Sequence, residues 1–295
     1  MYTKISELFT LPVATEKPRV AVVNPYDPET LGWLLELASN NIIQLDLIGN
    51  TNHIRDLLMK LKPNSLYDSR RVVIHSSENP AQFACELIKS HKTSVLMKGD
   101  IHTSEFLKAI IKSSLVKPNC LLTHLVVYEV PNHKLVYITD PSICIEPNTE
   151  QKIKIVSNAV EQLHSWGYKK PKVAALSSVE YEDPMIPSSV LDARLLSMFN
   201  HGEAVIEGPL GLDNAVSTDA ATKKHLKGEI QGDADILLVP NMDCGNLLCK
   251  GLRYLGALNC GNLILGSSVP IVFTSRSANY FERLNSLNLA ISLQQ

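Results

Sequence analysis

Short apolar runs that alternate with amphipathic helical patterns restrict the fold of this chain more than any other feature. The run from Arg19 to Val23 predicts a first strand, and a helix then begins at Asp27 or Pro28. Further strands are expected at 42–48, 72–75 and 94–97, and further helices at 51–60, 80–90 and 103–113. This succession is typical of βαβ units and predicts a largely parallel sheet.

The succession changes in the middle of the chain. Strands at 121–130 and 135–139 flank a tight polar turn, which predicts an antiparallel hairpin. A second alternation begins with a long helix at 149–166, and its later strands and helices are expected at 173–176, 188–200, 204–206, 213–224, 236–239, 245–258 and 263–265. We therefore expect an α/β protein of two α/β domains, residues 1–139 plus 275–295 and residues 140–274, with largely parallel sheets and a cleft between the domains.

Length and charge exclude several classes of protein. A chain of 295 residues is long enough for two domains, and a net charge of −2 provides no basic surface for nucleic acid or an anionic membrane. Because no apolar run has the length of a membrane span and the N-terminus lacks the apolar core of a signal peptide, we expect a cytoplasmic protein. The six cysteines form no CxxC pair and the nine histidines show no ligand spacing, so we predict reduced thiols and no metal site.

The first candidate site lies at residues 267–276. Val269 to Thr274 is an almost continuous apolar run, which predicts a strand buried on both faces, and it stops at Ser275 and Arg276 before a helical pattern. In open α/β sheets ligands bind where such a strand meets a helix, and the N–H groups of a helix start favour anions. The alternative is that Ser275 caps the helix and Arg276 is a surface charge.

A second junction between a strand and a helix lies at residues 97–103. Gly99 allows the backbone to turn, while Lys98 and the N-terminus of the helix are both electropositive. Lys108, farther along the same helix, adds a positive charge. The combination predicts a site for an anion such as phosphate. The alternative is a plain βα turn in which Thr103 caps the helix.

A third junction, at residues 238–250, is more polar than a turn requires. Asp243 and Asn246 are expected to face a cleft, Gly245 lies between them, and Lys250 follows one helical turn after Asn246. The alternative is ordinary turn chemistry, since Asn, Asp and Gly are the usual turn residues. Cys244 stands near the start of this helix, where thiols are activated, but no histidine is close in sequence, and an inert thiol is the favoured interpretation.

Several motifs together resemble the phosphate acyltransferases, the family of phosphate acetyltransferase and phosphate butyryltransferase, and they are most similar to the butyryl branch. They occur in family order across residues 90–290, so their joint spacing is specific although each tripeptide is weak. The matching stretches are Met97-Lys98-Gly99 with His102-Thr103; Tyr128-Glu129-Val130-Pro131; Lys172 to Leu176; Glu207-Gly208-Pro209-Leu210 with Leu212 to Ala215; Gly232 to Leu237; Cys244-Gly245-Asn246 with Lys250; and Pro270-Ile271-Val272 through Ser275-Arg276.

The resemblance implies a homodimer of isocitrate-dehydrogenase-like architecture that transfers an acyl group between coenzyme A and inorganic phosphate. Coenzyme A is then a substrate, and no permanently bound cofactor is implied. Arg276 would stabilise the developing negative charge, Ser275 would orient the thiol or phosphate, and Glu282 would be the base for the thiol. Another interpretation of Glu282 is a solvated helix face. The other matching positions would bind phosphate or coenzyme A: Lys98, Gly99, Thr103, Lys108, Asp243, Gly245, Asn246 and Lys250.

Some positions depart from the family pattern, and they keep a second function open. Lys108 stands where an arginine is usual, which preserves the charge but loses the bidentate fork. An acyl-CoA or acyl-phosphate binding protein with little turnover is therefore an alternative to the enzyme, and thiol release that depends on phosphate distinguishes the two. A relative that oxidises and decarboxylates a hydroxy acid would need an aspartate cluster for a metal and a nucleotide loop, and the sequence contains neither.

Overall fold

The structure is a computed structural model, and it describes residues 2–9, 17–61, 70–90, 95–180, 188–199, 202–275 and 277–293. The chain divides into two compact units. The first unit comprises Phe9–Pro118 and Asn262–Gln295, and the second comprises Met1–Leu8 and Asn119–Gly261. Strands and helices are numbered along the whole chain, and the two units are taken in turn.

The first unit is a sheet with helices on both faces. Its elements are β1 (Arg19–Val23), α1 (Pro28–Ser39), β2 (Gln44–Gly49), α2 (Thr51–Leu61), β3 (Val72–Ser76), α3 (Pro80–Ser90), β4 (Val95–Lys98), α4 (Thr103–Lys112), β10 (Cys260–Leu265), β11 (Ile271–Val272) and α10 (Tyr280–Ser292). The strand order is β3-β2-β1-β4-β11-β10. All neighbours are parallel except the antiparallel pair of β10 and β11. The alternation predicted for residues 19–113 is therefore confirmed.

The second unit is a mixed sheet with its own core. Its elements are β5 (Thr123–Tyr128), β6 (Val136–Thr139), α5 (Thr149–Ser165), β7 (Lys172–Leu176), α6 (Ser188–Ser197), β8 (Val205–Leu210), α7 (Leu212–Val216), α8 (Thr218–Lys223), β9 (Ile236–Leu238) and α9 (Met242–Lys250), with a 3₁₀ turn at Ile5–Leu8 and a π-helical turn at Gly251–Leu255. The strand order is β5-β6-β9-β7-β8. The predicted hairpin is confirmed as the antiparallel pair of β5 and β6, and the remaining pairs are parallel.

The unit boundaries differ from the domain boundaries expected from the sequence. The sequence places the hairpin in the first domain, but β6 pairs in parallel with β9, about one hundred residues later, and this pairing holds the hairpin in the second unit. The N-terminus also belongs to the second unit, because the backbone oxygen of Tyr2 accepts a hydrogen bond from Leu135 and the N–H of Ile5 donates to Glu129. Such long-range pairings leave no local pattern in the sequence.

Three predicted elements have different limits in the structure. The strand expected at 269–274 is limited to Ile271–Val272. Pro270 before it accepts the Leu96 N–H at 3.0 Å but has no N–H of its own to donate to the ladder. The helix expected at 213–224 is two short helices, since Ser217 is extended and caps the second of them. The C-terminal helix begins at Tyr280, with Asn279 as its N-cap, so the alternative in which Ser275 caps this helix is wrong.

The amino ends of the strands in the second unit are held by a network of ion pairs. Lys134, before β6, is buried and donates to the carboxylate of Asp235, before β9. The other oxygen of Asp235 accepts the N–H of Lys172, the first residue of β7, at 2.8 Å. The Lys172 ammonium in turn lies 2.6 Å from the carboxylate of Asp233. Aspartates of the stretch 232–237 therefore join three neighbouring strands to one another.

This network predicts that Asp235→Asn destabilises the second unit by about 3–5 kcal/mol, because removal of one partner leaves the buried Lys134 charge poorly compensated. Urea denaturation of the full chain measures the change. The matched control is Glu229→Gln at the exposed edge of the network, where solvent screens the pair with Lys170 and a much smaller loss of stability is expected. Equal effects of the two substitutions would contradict a special role for the buried pair.

Candidate active site

The strand order of the first unit creates a crevice between β1 and β4. From β1 the chain builds outward to β2 and β3, and then returns through α3 to place β4 on the other side of β1. The carboxyl ends of β1 and β4 therefore lie where the strand order reverses, which is the place where α/β proteins bind ligands. A cavity of about 300 Å³ lies at this point. The end of β4 and the loops after β1, β4 and β11 contribute to its lining, with Asn24, Tyr26, Lys98, Gly99, Thr274 and Ser275 among the residues.

Gly99 allows the loops after β1 and β4 to touch. A Cβ atom on Gly99 would lie 2.2 Å from the carbonyl oxygen of Val23 and 2.4 Å from that of Asn24. The next residue, Asp100, donates its N–H to the Asn24 carbonyl at 2.9 Å, and the Asn24 amide donates to the Asp100 carbonyl at 3.2 Å. Asn24 itself has φ of 49°, a left-handed conformation that asparagine tolerates. The glycine of the predicted anion site is thus needed for packing at this position.

Lys98 and Ser275, which the sequence placed at two separate junctions, line the same cavity. Lys98 is buried at the end of β4, and its ammonium donates to the carbonyl of Gly99 at 3.3 Å. The Ser275 hydroxyl lies 3.0 Å from that of Ser277 and accepts the Ser277 N–H at 3.3 Å. This turn fixes the exposed hydroxyl ahead of α10. Arg276 lies outside the described residues.

The remaining predicted residues of α4 lie beyond the cavity lining. His102, whose side chain makes no capping hydrogen bond, occupies the N-cap position, and Thr103 is the first helical residue. The alternative in which Thr103 caps α4 is therefore wrong. Thr103 and Lys108 are both exposed on the helix. The structure thus brings Lys98 and Gly99 into the cavity with Ser275 but leaves Thr103 and Lys108 on the surface of α4.

Two charged residues that the sequence interpretation did not select complete the cavity. Asp27 is the N-cap of α1 and accepts the Thr30 N–H at 2.9 Å and the Thr30 hydroxyl. Arg283 of α10, which is buried, donates to the same carboxylate at 2.9 Å. Burial raises the pKa of Asp27, but the groups of Thr30 and the charge of Arg283 outweigh it, so the pKa of Asp27 lies below its ordinary value. The start of α1 was visible in the sequence, whereas its partner 256 positions away was not.

Glu282 directly precedes the cavity-lining residue Arg283 in the chain but has a different environment. It is buried, and its carboxylate accepts the side-chain amide of Asn262 in β10 at 3.0 Å. Ser286, one turn later, accepts the Asn262 N–H at 2.9 Å. The interpretation of Glu282 as part of a solvated helix face is therefore wrong. Glu282 is not among the described residues that line the cavity.

The third junction forms the start of α9 in the second unit. The helix begins at Met242, earlier than expected, because the Asn241 side chain caps it by accepting the Cys244 N–H at 3.0 Å. Gly245 is buried, and a Cβ atom there would lie 2.7 Å from the Cα of Pro141. Close packing therefore requires glycine at this position. Asp243 and Lys250 are exposed and Asn246 is half-buried.

The described part of the chain contains neither a metal-binding cluster of side chains nor a membrane-spanning helix. No three side chains of His, Cys, Asp or Glu come together there in a way that suits a metal ion. No helix there combines the length and apolar character needed to cross a bilayer.

A family model, curated relatives and a solved structure that match this chain all indicate the same family. A family model described as "Phosphate acetyl/butaryl transferase" matches residues 51–291. The chain is similar to the probable phosphate butyryltransferase of Bacillus subtilis (strain 168), with 31% identity over 98% of this chain and 97% of the relative. It is 35% identical to the phosphate acetyltransferase of Rickettsia felis over 92% of this chain and 79% of the relative. A branched-chain phosphotransacylase from Enterococcus faecalis V583 matches with a TM-score of 0.78 and 33% identity, covering 93% of this chain and 98% of that structure.

The pair of Asp27 and Arg283 generates a prediction about stability and pH. Asp27→Asn keeps a capping side chain but loses the charge, so we expect a loss of about 1 kcal/mol at pH 7. Because the pKa of Asp27 is lower in the folded protein, the stabilisation is complete above the unfolded value of about 4 and is lost as the pH falls through the folded value. Denaturation of both proteins at pH 7 and at acid pH measures the difference.

The matched control for Asp27 is Glu29→Gln. Glu29 lies 3.8 Å from Arg283 and is mostly exposed, so its loss is expected to cost less than about 0.5 kcal/mol. If the difference in free energy of unfolding between wild type and Asp27→Asn stays constant as the pH falls, the charge of Asp27 is not the source of that difference.

Proposed function

The chain belongs to the phosphate acetyl/butyryl transferase family, and from that premise we propose that it transfers a short-chain acyl group reversibly between coenzyme A and inorganic phosphate, with the cavity of the first unit as part of the active site. In one direction a phosphate oxygen attacks the thioester carbonyl, the carbon–sulfur bond breaks and coenzyme A leaves as the thiolate. In the other direction the thiolate attacks the acyl phosphate and phosphate leaves. Negative charge grows on the carbonyl oxygen in both directions, so a fixed cation and hydrogen-bond donors stabilise the transition state.

The observation that carries this proposal is the presence of Lys98 and Ser275 at one small cavity, at the carboxyl ends of β4 and β11. We assign the Lys98 ammonium to the negative charge of the phosphate. The Ser275 hydroxyl, fixed by its turn, orients the thiol or the phosphate. Arg276, the next residue in the chain, holds two oxygens at once and supplies most of the charge stabilisation.

Residues outside the cavity lining receive the roles that the family resemblance implies. Thr103 and Lys108 are assigned to phosphate, and their exposure on α4 makes them accessible to a ligand. Asp243, Asn246 and Lys250 are assigned to coenzyme A. The support for the second assignment is the accessible start of α9, whose N–H groups favour anions, together with the exposed ammonium of Lys250.

We also propose that the protein is a homodimer. The support is a group of exposed apolar side chains close together in the chain, Leu191 and Leu195 on α6 and Met198 and Phe199 just after it. Exposed apolar surface marks interaction sites on proteins when such side chains form one patch.

Phosphate-dependent release of free thiol from acetyl-CoA and butyryl-CoA tests the activity. Arg276→Ala is expected to lower kcat by about 10²–10³, the loss that follows removal of a group that stabilises transition-state charge. Arg276→Lys is expected to recover only part of the rate, because an ammonium cannot hold two oxygens of one phosphate. The melting temperature is measured alongside.

The control is Arg55→Ala on the exposed face of α2, away from the cavity lining, and it is expected to leave kcat unchanged. Near-normal turnover in Arg276→Ala would remove Arg276 from the catalytic residues. If the wild type binds butyryl-CoA but releases no thiol when phosphate is added, the binding-protein alternative replaces the enzyme.

Glu282 generates a separate prediction, since the role of base for the thiol is still a proposal. A buried carboxylate that deprotonates the thiol should lose its effect when amidated, so Glu282→Gln is expected to lower turnover mainly at low pH. The pH–rate profile and the melting temperature of wild type and variant are compared. A lower melting temperature with an unchanged profile would assign the carboxylate to packing against Asn262.

A further inference from the structure

The cavity of the first unit has walls of two kinds. Lys98, Asp100 and Ser275 are polar lining residues, whereas Val22 and Met97, near the ends of β1 and β4, are apolar lining residues. Val22 and Met97 are almost completely buried, with exposed fractions of 0% and 1%. Phosphate is hydrated and charged, so it gains nothing from an apolar wall. The apolar part of the cavity therefore matches a different part of the substrate.

The position of this apolar floor follows from strand register. Val22 of β1 and Met97 of β4 are paired in adjacent parallel strands, so their side chains leave the sheet on one face. Thr30 of α1 and Arg283 of α10 also line the cavity. Leu96 and Lys98 alternate to the other face. Leu96 is not among the described residues that line the cavity, whereas Lys98, the last residue of β4, lines it at the strand end, where its ammonium donates to the Gly99 carbonyl. The floor is thus rigid sheet, and the polar groups follow directly at the strand ends.

The volume of the cavity indicates which part of an acyl-CoA it can hold. Its volume of about 300 Å³ is at the lower end of the range for small-molecule sites. The nucleotide of coenzyme A is larger and strongly charged, so it suits neither the volume nor the floor. A short acyl chain is small and apolar, and its carbonyl carbon would lie at the level of Lys98 and Ser275.

We propose that Val22 and Met97 form the subsite for the acyl chain and that Met97 sets the chain length accepted. This inference rests on the proposed function, because it names the substrate group held beside Lys98 and Ser275. Met97 projects from an inner strand, and its thioether has three rotatable bonds that let it fill or free the space beneath the carbonyl. The accepted length of the acyl chain then depends on how much apolar surface this chain buries before it contacts the Met97 side chain.

The test is Met97→Ala, which removes the side-chain atoms beyond Cβ and opens space at the floor of the cavity. The ratio of kcat/KM for hexanoyl-CoA to kcat/KM for acetyl-CoA is expected to rise about tenfold or more, the discrimination that a hydrophobic pocket achieves per methylene. Met97→Val is the second variant, since valine suits a strand and opens less space. It is expected to shift the ratio in the same direction by a smaller factor, even if Met97→Ala folds poorly.

The matched control is Leu96→Ala, which removes an equally buried side chain from the same strand on the opposite face. It is expected to lower the melting temperature and to leave the ratio unchanged. An unchanged ratio in folded Met97→Val, or an equal shift in Leu96→Ala, overturns the subsite.

A second measurement separates this inference from the proposed function. Dissociation constants for acetyl-CoA and hexanoyl-CoA are measured by calorimetry with the same proteins. If the wild type releases no thiol but Met97→Val shifts the ratio of affinities toward hexanoyl-CoA, the proposed function is wrong and the subsite is supported. If thiol release depends on phosphate and neither ratio shifts, the proposed function stands and the subsite is wrong.

Discussion

The close approach of Gly99 to the carbonyl oxygens of Val23 and Asn24 is the constraint on which the cavity depends. The strand order places β1 beside β4, but only a residue without a side chain allows the loops that follow them to join through backbone hydrogen bonds. Once joined, these loops hold Lys98 at the end of β4. The loop after β1 then continues directly into the N-cap of α1. A larger residue at position 99 would displace both loops, so the position of the charge and the shape of the cavity depend on one packing contact.

The C-terminal helix α10 is fixed by two adjacent residues that point to different partners. Glu282 accepts a hydrogen bond from Asn262 of β10, and Arg283 pairs with Asp27 at the start of α1. Buried charges need such partners, because desolvation without them costs several kcal/mol per ion. The turn at Ser275 enters this helix, so both contacts limit how far the hydroxyl can move. The acid and the arginine thus contribute to the site through position even where they do not touch a ligand.

Local sequence patterns predicted the strands and helices of this fold better than the contacts between them. The alternation of strands and helices and the polar strand ends at Lys98 and Ser275 were visible, because both are encoded by consecutive residues. The pairing of β6 with β9 and the link between Asp27 and Arg283 were not visible, because they join residues far apart in the chain. The same reason explains Glu282, for which a solvated helix face was an open alternative, because its contact with Asn262 joins residues far apart in the chain. Residue types identify candidates for chemistry, whereas tertiary contacts decide which of them lie together.

The stretches that resemble the family fall at two different edges of the sheets, and the edge determines their physical role. Lys98 and Ser275 follow the carboxyl ends of their strands, where loops and helix starts leave room for a ligand. Asp233 and Asp235 precede β9 at its amino end, where their carboxylates are occupied by Lys134 and Lys172. A charge already neutralised by a neighbour stabilises strand pairing and offers little to a substrate. A motif match alone therefore assigns no chemistry to a residue, and the strand end at which the residue lies separates a binding role from a structural one.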